Sequence, residues 1–237
     1  MGTVTSTMDI ARTLIRHGAN EGATVIAAHQ SQGRGRAGRT WDSPASTGLY
    51  CSIILRPHIP AADFQPMSIA VGLALCDALD PGHRNNLELK WPNDILVQGR
   101  KLAGILIATD LYGPVVESAI LGIGINLLPD PAQPSLAISL AELSNRSAIP
   151  ASDLFPAIAA ALRARYSAIL DGNPERALQG WSDRLAYRNQ LVTIEDGPHR
   201  LTGILLGIDS AGSLHLQTPS GPKLITSGDL NRGPQPS

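Results

Sequence analysis

The stretch LELKWPNDILVQGRKLAGILIATDLYGPVVESAILGIGIN, residues 87–126, decides the fold. Apolar, β-prone runs follow one another closely in it. Leu87–Trp91 leads through Pro92-Asn93-Asp94 into Ile95–Val97, and Leu102–Ala108 and Val115–Ile125 come next. The links Gln98-Gly99-Arg100 and Tyr112-Gly113-Pro114 are short and rich in turn residues. A parallel crossover needs a dozen or more residues, so strands joined this tightly are antiparallel neighbours.

Outward from this block, Thr24–His29 and Leu49–Leu55 add two strands. Pro66–Leu79 is apolar nearly all round, the mark of a buried helix. Ile10, Leu14 and Ile15 form a stripe on a short helix capped by Ser6 or Thr7 and stopped by Gly18. Leu154–Leu170, with Ser152 or Asp153 as cap, and Pro174–Leu185, with proline in its first turn, are further helices. After Asn189 the texture changes. Leu191–Glu195, Leu201–Ile208, Ser213–Gln217 and Lys223–Ile225 are short strands split by Asp-Gly, Ala-Gly and Ser-Gly turns, which suits a small β-barrel of about 45 residues docked on the main domain. The expected fold is α+β: a mixed, largely antiparallel sheet with packed helices over residues 1–188, and a small β-domain over 189–237.

Bulk composition narrows the function. With 43% hydrophobic and 16% charged residues, the chain of 237 residues can build a core and is not disordered. A net charge of -1 and 4% aromatic residues argue against a nucleic-acid surface. Cys51 and Cys76 make neither a metal pattern nor a disulfide framework and read as buried small residues. No leader pattern opens the chain, and no apolar run approaches the roughly 18 residues of a spanning helix. A cytoplasmic protein without DNA or membrane contact, a monomer or weak homodimer with no resident metal site, is expected.

Gly33-Arg34-Gly35-Arg36-Ala37-Gly38 fits the G-x-G-x-x-G pattern. A dinucleotide-binding reading also needs a helix straight afterwards and an acidic residue about 20 positions on. Arg39-Thr40-Trp41-Asp42-Ser43-Pro44 is loop chemistry instead, and position 53 lies in an apolar strand. Protein-kinase signatures and a P-loop lysine are both missing. What remains is a flexible loop with three arginines in six residues, Arg34, Arg36 and Arg39. Its glycines bring backbone N–H groups close to an anion, and its guanidinium groups offer bidentate donors to carboxylate or phosphate. A solvated basic loop is the plain alternative.

The chain has only three lysines, Lys90, Lys101 and Lys223. Leu87, Leu89 and Trp91 alternate onto one strand face, so Lys90 points to the other. A lysine in an apolar strand is costly to bury unless it meets an anion; an exposed edge lysine is the alternative. Gly104, on the next strand, is where a ligand can touch backbone. Gly122-Ile123-Gly124-Ile125-Asn126 ends another strand with two glycines and one polar residue.

Together these blocks resemble the catalytic domain of bacterial biotin–protein ligases (biotin–[acetyl-CoA-carboxylase] ligases). Gln30–Trp41 is similar to that family's Q-x-x-GRGR-x-GR-x-W loop, Lys90–Asp94 to its KWPND block, Lys101–Leu106 to K-L-x-G-I-L and Gly122–Asn126 to G-I-G-I-N. The blocks come in the family's order. The resemblance implies a class II synthetase-like catalytic domain with an SH3-like C-terminal β-barrel. It implies ATP-dependent activation of biotin to biotinyl-5′-AMP, with Mg²⁺ accompanying the nucleotide. Transfer to a lysine of a biotin carboxyl carrier protein, from acetyl-CoA carboxylase or another biotin-dependent carboxylase, would follow.

The roles it implies are specific. Ser6, Thr7 and Gln30 would hold the ureido ring of biotin. Arg34, Gly35 and Arg36 would bind the carboxylate and the α-phosphate, Lys90 would stabilise charge at their junction, and Gly104 would line the biotin pocket. Trp41 and Asn126 would sit towards the nucleotide. Lys90 and Arg36 would be the catalytic residues. Met8 stands where the family usually has Asn, which removes a polar role at that position. Only five residues precede Ser6, so the N-terminal DNA-binding domain of some relatives is not expected. Lipoate–protein ligase chemistry and a non-catalytic biotin sensor are the alternatives, and the KWPND block favours biotin.

Overall fold

Alternation along one strand shows how the layers are made. In β4 (Gly48–Leu55), Leu49, Cys51, Ile53 and Leu55 enter the main core. Ile54 enters a second cluster on the opposite face with Met8, Ala11, Val25 and Ile120. Both faces of the strand are buried, so it reads as a continuous apolar run. The computed structural model describes residues 2–130, 135–144 and 150–233.

The short N-terminal strand β1 (Thr3–Val4) and helix α1 (Thr7–Arg16) open the chain, with Ser6 Oγ accepting the Met8 N–H at 3.3 Å as the expected cap. Strands β2 (Thr24–Ala27) and β3 (His29–Gln30) precede β4, and β3 pairs in parallel with β1. After β5 (Ile59–Pro60) and α2 (Ala61–Phe64) comes α3 (Met67–Leu79), whose burial on nearly all sides fits its composition. Then follow β6 (Glu88–Lys90), β7 (Asp94–Val97), β8 (Arg100–Tyr112) and β9 (Val115–Asn126). The seven-stranded sheet runs β2-β4-β9-β8-β7-β6, with β5 also on β9. Each ladder in it is antiparallel, as the short links require for β6 to β9.

α1 covers one face of this sheet. On the other face α3 packs against β6, β7 and β8 and against the long helix α5 (Ala151–Leu170). Gly72 lets α3 approach β6, because a Cβ there would run into the Leu89 side chain. Two details of the helices differ from the sequence expectation. α5 starts after Pro150 with no side-chain cap, and Ser152 Oγ bonds Asp153 rather than a free backbone N–H. The single helix expected over Pro174–Leu185 is two, α6 (Pro174–Ala177) and α7 (Trp181–Arg184), because Gly180 adopts φ 87°, which breaks the helix. The short α4 (Leu140–Ser144) precedes α5.

The C-terminal unit is a five-stranded antiparallel sheet in the order β13-β12-β11-β10-β14. Its strands are β10 (Leu191–Asp196), β11 (His199–Ile208), β12 (Leu214–Thr218), β13 (Gly221–Ile225) and β14 (Asp229–Arg232). β14 is one strand more than the sequence suggested. The unit is stitched to the main sheet by Trp91, whose buried indole Nε1 donates to the Gly212 carbonyl at 3.0 Å. Val192, Ile194, Leu205, Leu214, Leu216 and Leu230 continue the main core into it.

Candidate active site

Residues directly opposite one another in a sheet share a face. The ladders place Lys90 opposite Asp94, Asp94 opposite Gly104, and Gly104 opposite Gly124. A row of cation, carboxylate and two glycines therefore crosses β6 to β9. Leu89 and Trp91 turn the other way, into the core, as expected. The glycines strip the sheet of side chains and leave a floor. Trp41 fills part of it: a Cβ on Gly104 would stand 2.6 Å from Trp41 Cζ3, and one on Gly124 2.5 Å from Cε2. Met8 from α1 covers Gly122 in the same way, with Sδ 3.0 Å from such a Cβ. At position 8, then, a thioether packs against backbone.

Above this floor lies a cleft of about 290 Å³. Ser6, Thr7, Gln30, Arg34, Gly35, Arg36, Trp41, Lys90 and Gly104 all line it. Nine residues chosen from four separate blocks are thus brought together. Asn126 is not among them. Its Nδ2 donates to the carbonyls of Lys101 at 3.1 Å and Ile138 at 3.3 Å, so the amide joins these two segments to the end of β9.

One end of the cleft is a closed polar network. Gln30 Oε1 accepts from Thr7 N at 2.8 Å and from Thr7 Oγ1 at 3.1 Å, and Gln30 Nε2 donates to Ser43 Oγ at 2.9 Å. Ser52 Oγ, on β4, donates to Thr7 Oγ1 at 2.8 Å. Ser6 and Thr7 are almost fully buried, so these groups are preset for a polar ligand.

The other end is cationic. Arg34, Arg36, Arg39, Lys90 and Lys101 line it with three carboxylates, Asp94, Glu195 and Asp229. The arginine loop turns through a short helical segment, Arg36–Gly38, with Ala37 at φ 51° and Gly38 at φ 74°. Arg34 pairs with Asp9 of α1 at 2.8 Å. Arg36 reaches Asn93 Oδ1 at 3.4 Å and Asp229 Oδ1 at 3.3 Å, and Arg39 reaches the same Asp229 oxygen at 2.9 Å. The Lys90 ammonium has no hydrogen-bond or ion-pair partner among the described residues; its backbone carbonyl accepts from the Asn93 N–H at 3.2 Å.

Lys101 is the site residue to which the sequence assigned no role. Simple alternation sets it and Gly104 on opposite faces. The ladder from β7 to β8 shifts register between Ile95, opposite Ala103, and Leu96, opposite Lys101, leaving Leu102 as an extra residue. Such a bulge resets the phase of the strand. Lys101 Nζ consequently sits in the cleft, 2.7 Å from Asp94 Oδ1 and 4.9 Å from the centroid of the Trp41 ring. Its clue was chain-wide: two of three lysines fall in this one block.

Comparison with known proteins bears on the family and the fold. Residues 2–126 match the Biotin/lipoate A/B protein ligase family, and residues 189–230 match the Biotin protein ligase C terminal domain. The biotin–[acetyl-CoA-carboxylase] ligase of Paracoccus denitrificans is 33% identical over 90% of this chain and 91% of its own length. The bifunctional ligase/repressor BirA of Bacillus spizizenii is 31% identical over 97% of this chain and 72% of its own. The structure of biotin protein ligase from Aquifex aeolicus in complex with biotin and ATP superposes with a TM-score of 0.75 at 25% identity, over 98% of this chain and 97% of that one. The fold and cleft define a ligase of the biotin and lipoate class. Within that class, the chain belongs to the biotin protein ligase family.

Proposed function

We propose that the chain joins biotin to ATP in this cleft, forming biotinyl-5′-AMP, and then passes the biotinyl group to a lysine of a biotin carboxyl carrier protein. The observation that carries the proposal is the union, on one glycine floor, of a buried polar end with a cationic end. The polar end suits the ureido ring, which has N–H donors and a carbonyl to satisfy. A dithiolane ring such as that of lipoate has no N–H or carbonyl to exchange hydrogen bonds with Ser6, Thr7 and Gln30, so it gains nothing from that end.

In the first step a biotin carboxylate oxygen attacks the α-phosphorus, and pyrophosphate leaves. Arg34 and Arg36, on either side of Gly35, hold the two anions together, while Lys90 and Lys101 offset the negative charge that accumulates between them. Trp41 offers a ring towards the adenine. In the second step the carrier's ε-amine attacks the acyl carbon, AMP leaves, and the amine's proton is lost to solvent. Positioning and charge stabilisation do the work in both steps.

Magnesium would enter on the nucleotide phosphates and neutralise part of their charge. Asp94 and Asp229 are already committed to Lys101 and to two arginines. Among the described residues no group of three or more metal-ligating side chains gathers. An ion carried mainly by phosphates, with one or two carboxylates at most, suits such a site. The reaction is assigned to the cytoplasm, with the chain as a monomer or weak homodimer.

The test is pyrophosphate release from ATP and Mg²⁺ with biotin and, separately, with lipoate. Release with biotin alone is expected. Release with lipoate alone would move the chain to the lipoyl branch, and silence with both would leave a sensor.

A further inference from the structure

Each arginine of the loop holds a group of the chain's own. The two cations on Asp229 are held differently. Arg39 Nη2 meets Asp229 Oδ1 at 2.9 Å, and its side chain is mostly in solvent. Arg36 Nη1 meets the same oxygen at 3.3 Å, and its other contacts, to Asn93 Oδ1 and the Gly228 carbonyl, are all 3.4 Å. One bond is short and made by the more exposed arginine; the others are long and made by the less exposed one. Asp229 opens β14, where it is paired with Glu195 of β10, so its backbone is fixed by the C-terminal sheet. The loop and this strand lie 190 residues apart in sequence, at Arg39 and Asp229.

We propose that Asp229 is a positioning residue contributed by the C-terminal unit, which fastens the arginine loop over the cleft. Arg39 is the lasting tether. Arg36 is held loosely beside the cleft and turns from Asp229 to the ligand's anion when that arrives. The inference rests on the reading of Arg36 as a holder of the adenylate. It gives the C-terminal sheet a part in retaining the intermediate.

Limited trypsin digestion of the full chain without ligands tests the tether independently of catalysis. Cutting after Arg36 is expected to quicken roughly fivefold in D229N, the upper range for a partly exposed ion pair. Added salt should quicken cutting in the wild type and change little in D229N. The R39M/D229N pair should be no worse than either single variant. With ATP and biotin, D229N should release adenylate to solvent several-fold faster, and D229E should restore both readouts to within about twofold. Thermal unfolding checks that each variant is folded. If D229N misfolds, the inference stands or falls on R39M and on the salt dependence of the wild type. Wild-type rates of cutting and escape in folded D229N, or D229E as poor as D229N, would overturn it. A wild type that forms no adenylate would sink the proposed function, and the digestion would still decide the tether.

Discussion

The indole of Trp41 covers Gly124 so closely that a Cβ on that glycine would stand 2.5 Å from ring atom Cε2. Gly104, directly across the ladder, makes the second half of the same plate. Gly124→Ala must therefore push the ring off its seat. The KM for ATP is expected to rise several-fold, with biotin affinity within about twofold, and overpacking to cost about 1–3 kcal/mol of stability. Steady-state kinetics and thermal unfolding check both parts. An unchanged KM for ATP would remove Trp41 from the nucleotide side.

Lys90 stands unpaired at the end of the row that crosses the sheet through Asp94. Losing a contact to charge that builds up in a transition state costs about 2.7–4 kcal/mol, or ~10²–10³ in rate. Lys90→Ala should lower adenylate formation by that factor. A rate within a factor of a few of wild type would end its catalytic role and leave Lys101 to fill it.

Arg36 is expected to keep the mixed anhydride from escaping as well as to assemble it. Arg36→Gly should release adenylate that labels bystander proteins on their lysines. Blotting a mixture of carrier and unrelated proteins decides this, and labelling confined to the carrier would count against it.

Burial alone pushes the Cys51 thiol up to about 12, and burial is also the largest cause of a like shift at Cys76. A thiol whose folded value lies above its unfolded value stays protonated longer in the folded chain. The stability this gives is complete below the ordinary value of 9.0 and is lost as pH rises from there towards about 12. Two results are expected. Neither thiol is alkylated at pH 8 in the folded protein, and the unfolding midpoint falls as pH rises above about 9. Rapid alkylation of native protein at pH 8 would contradict the burial.

The main sheet was legible because its strands are joined by turns too short for anything but antiparallel pairing. The cleft was legible in parts. Ser6, Gln30, Arg36 and Lys90 lie in distinct local patterns, but the residues that restrain them do not. Asp229 sits in Asp-Leu-Asn-Arg, where one buried leucine is too little alternation to announce a strand. Its bond to Arg39 spans 190 residues and leaves no local trace. Lys101 was hidden by a bulge, which defeats the two-residue period, and Gly180 cut one expected helix in two. Asn126 lies in a motif read as facing the nucleotide, and no local pattern announces that its Nδ2 also donates to two backbone carbonyls.

The most direct measurement is mass spectrometry of a carrier domain incubated with the protein, biotin, ATP and Mg²⁺, with pyrophosphate followed in parallel. The expected result is one biotinyl addition on one carrier lysine, matched by one pyrophosphate for each addition. Pyrophosphate without carrier modification would leave activation but contradict the transfer, and modification by lipoate in place of biotin would contradict the assignment of the polar pocket.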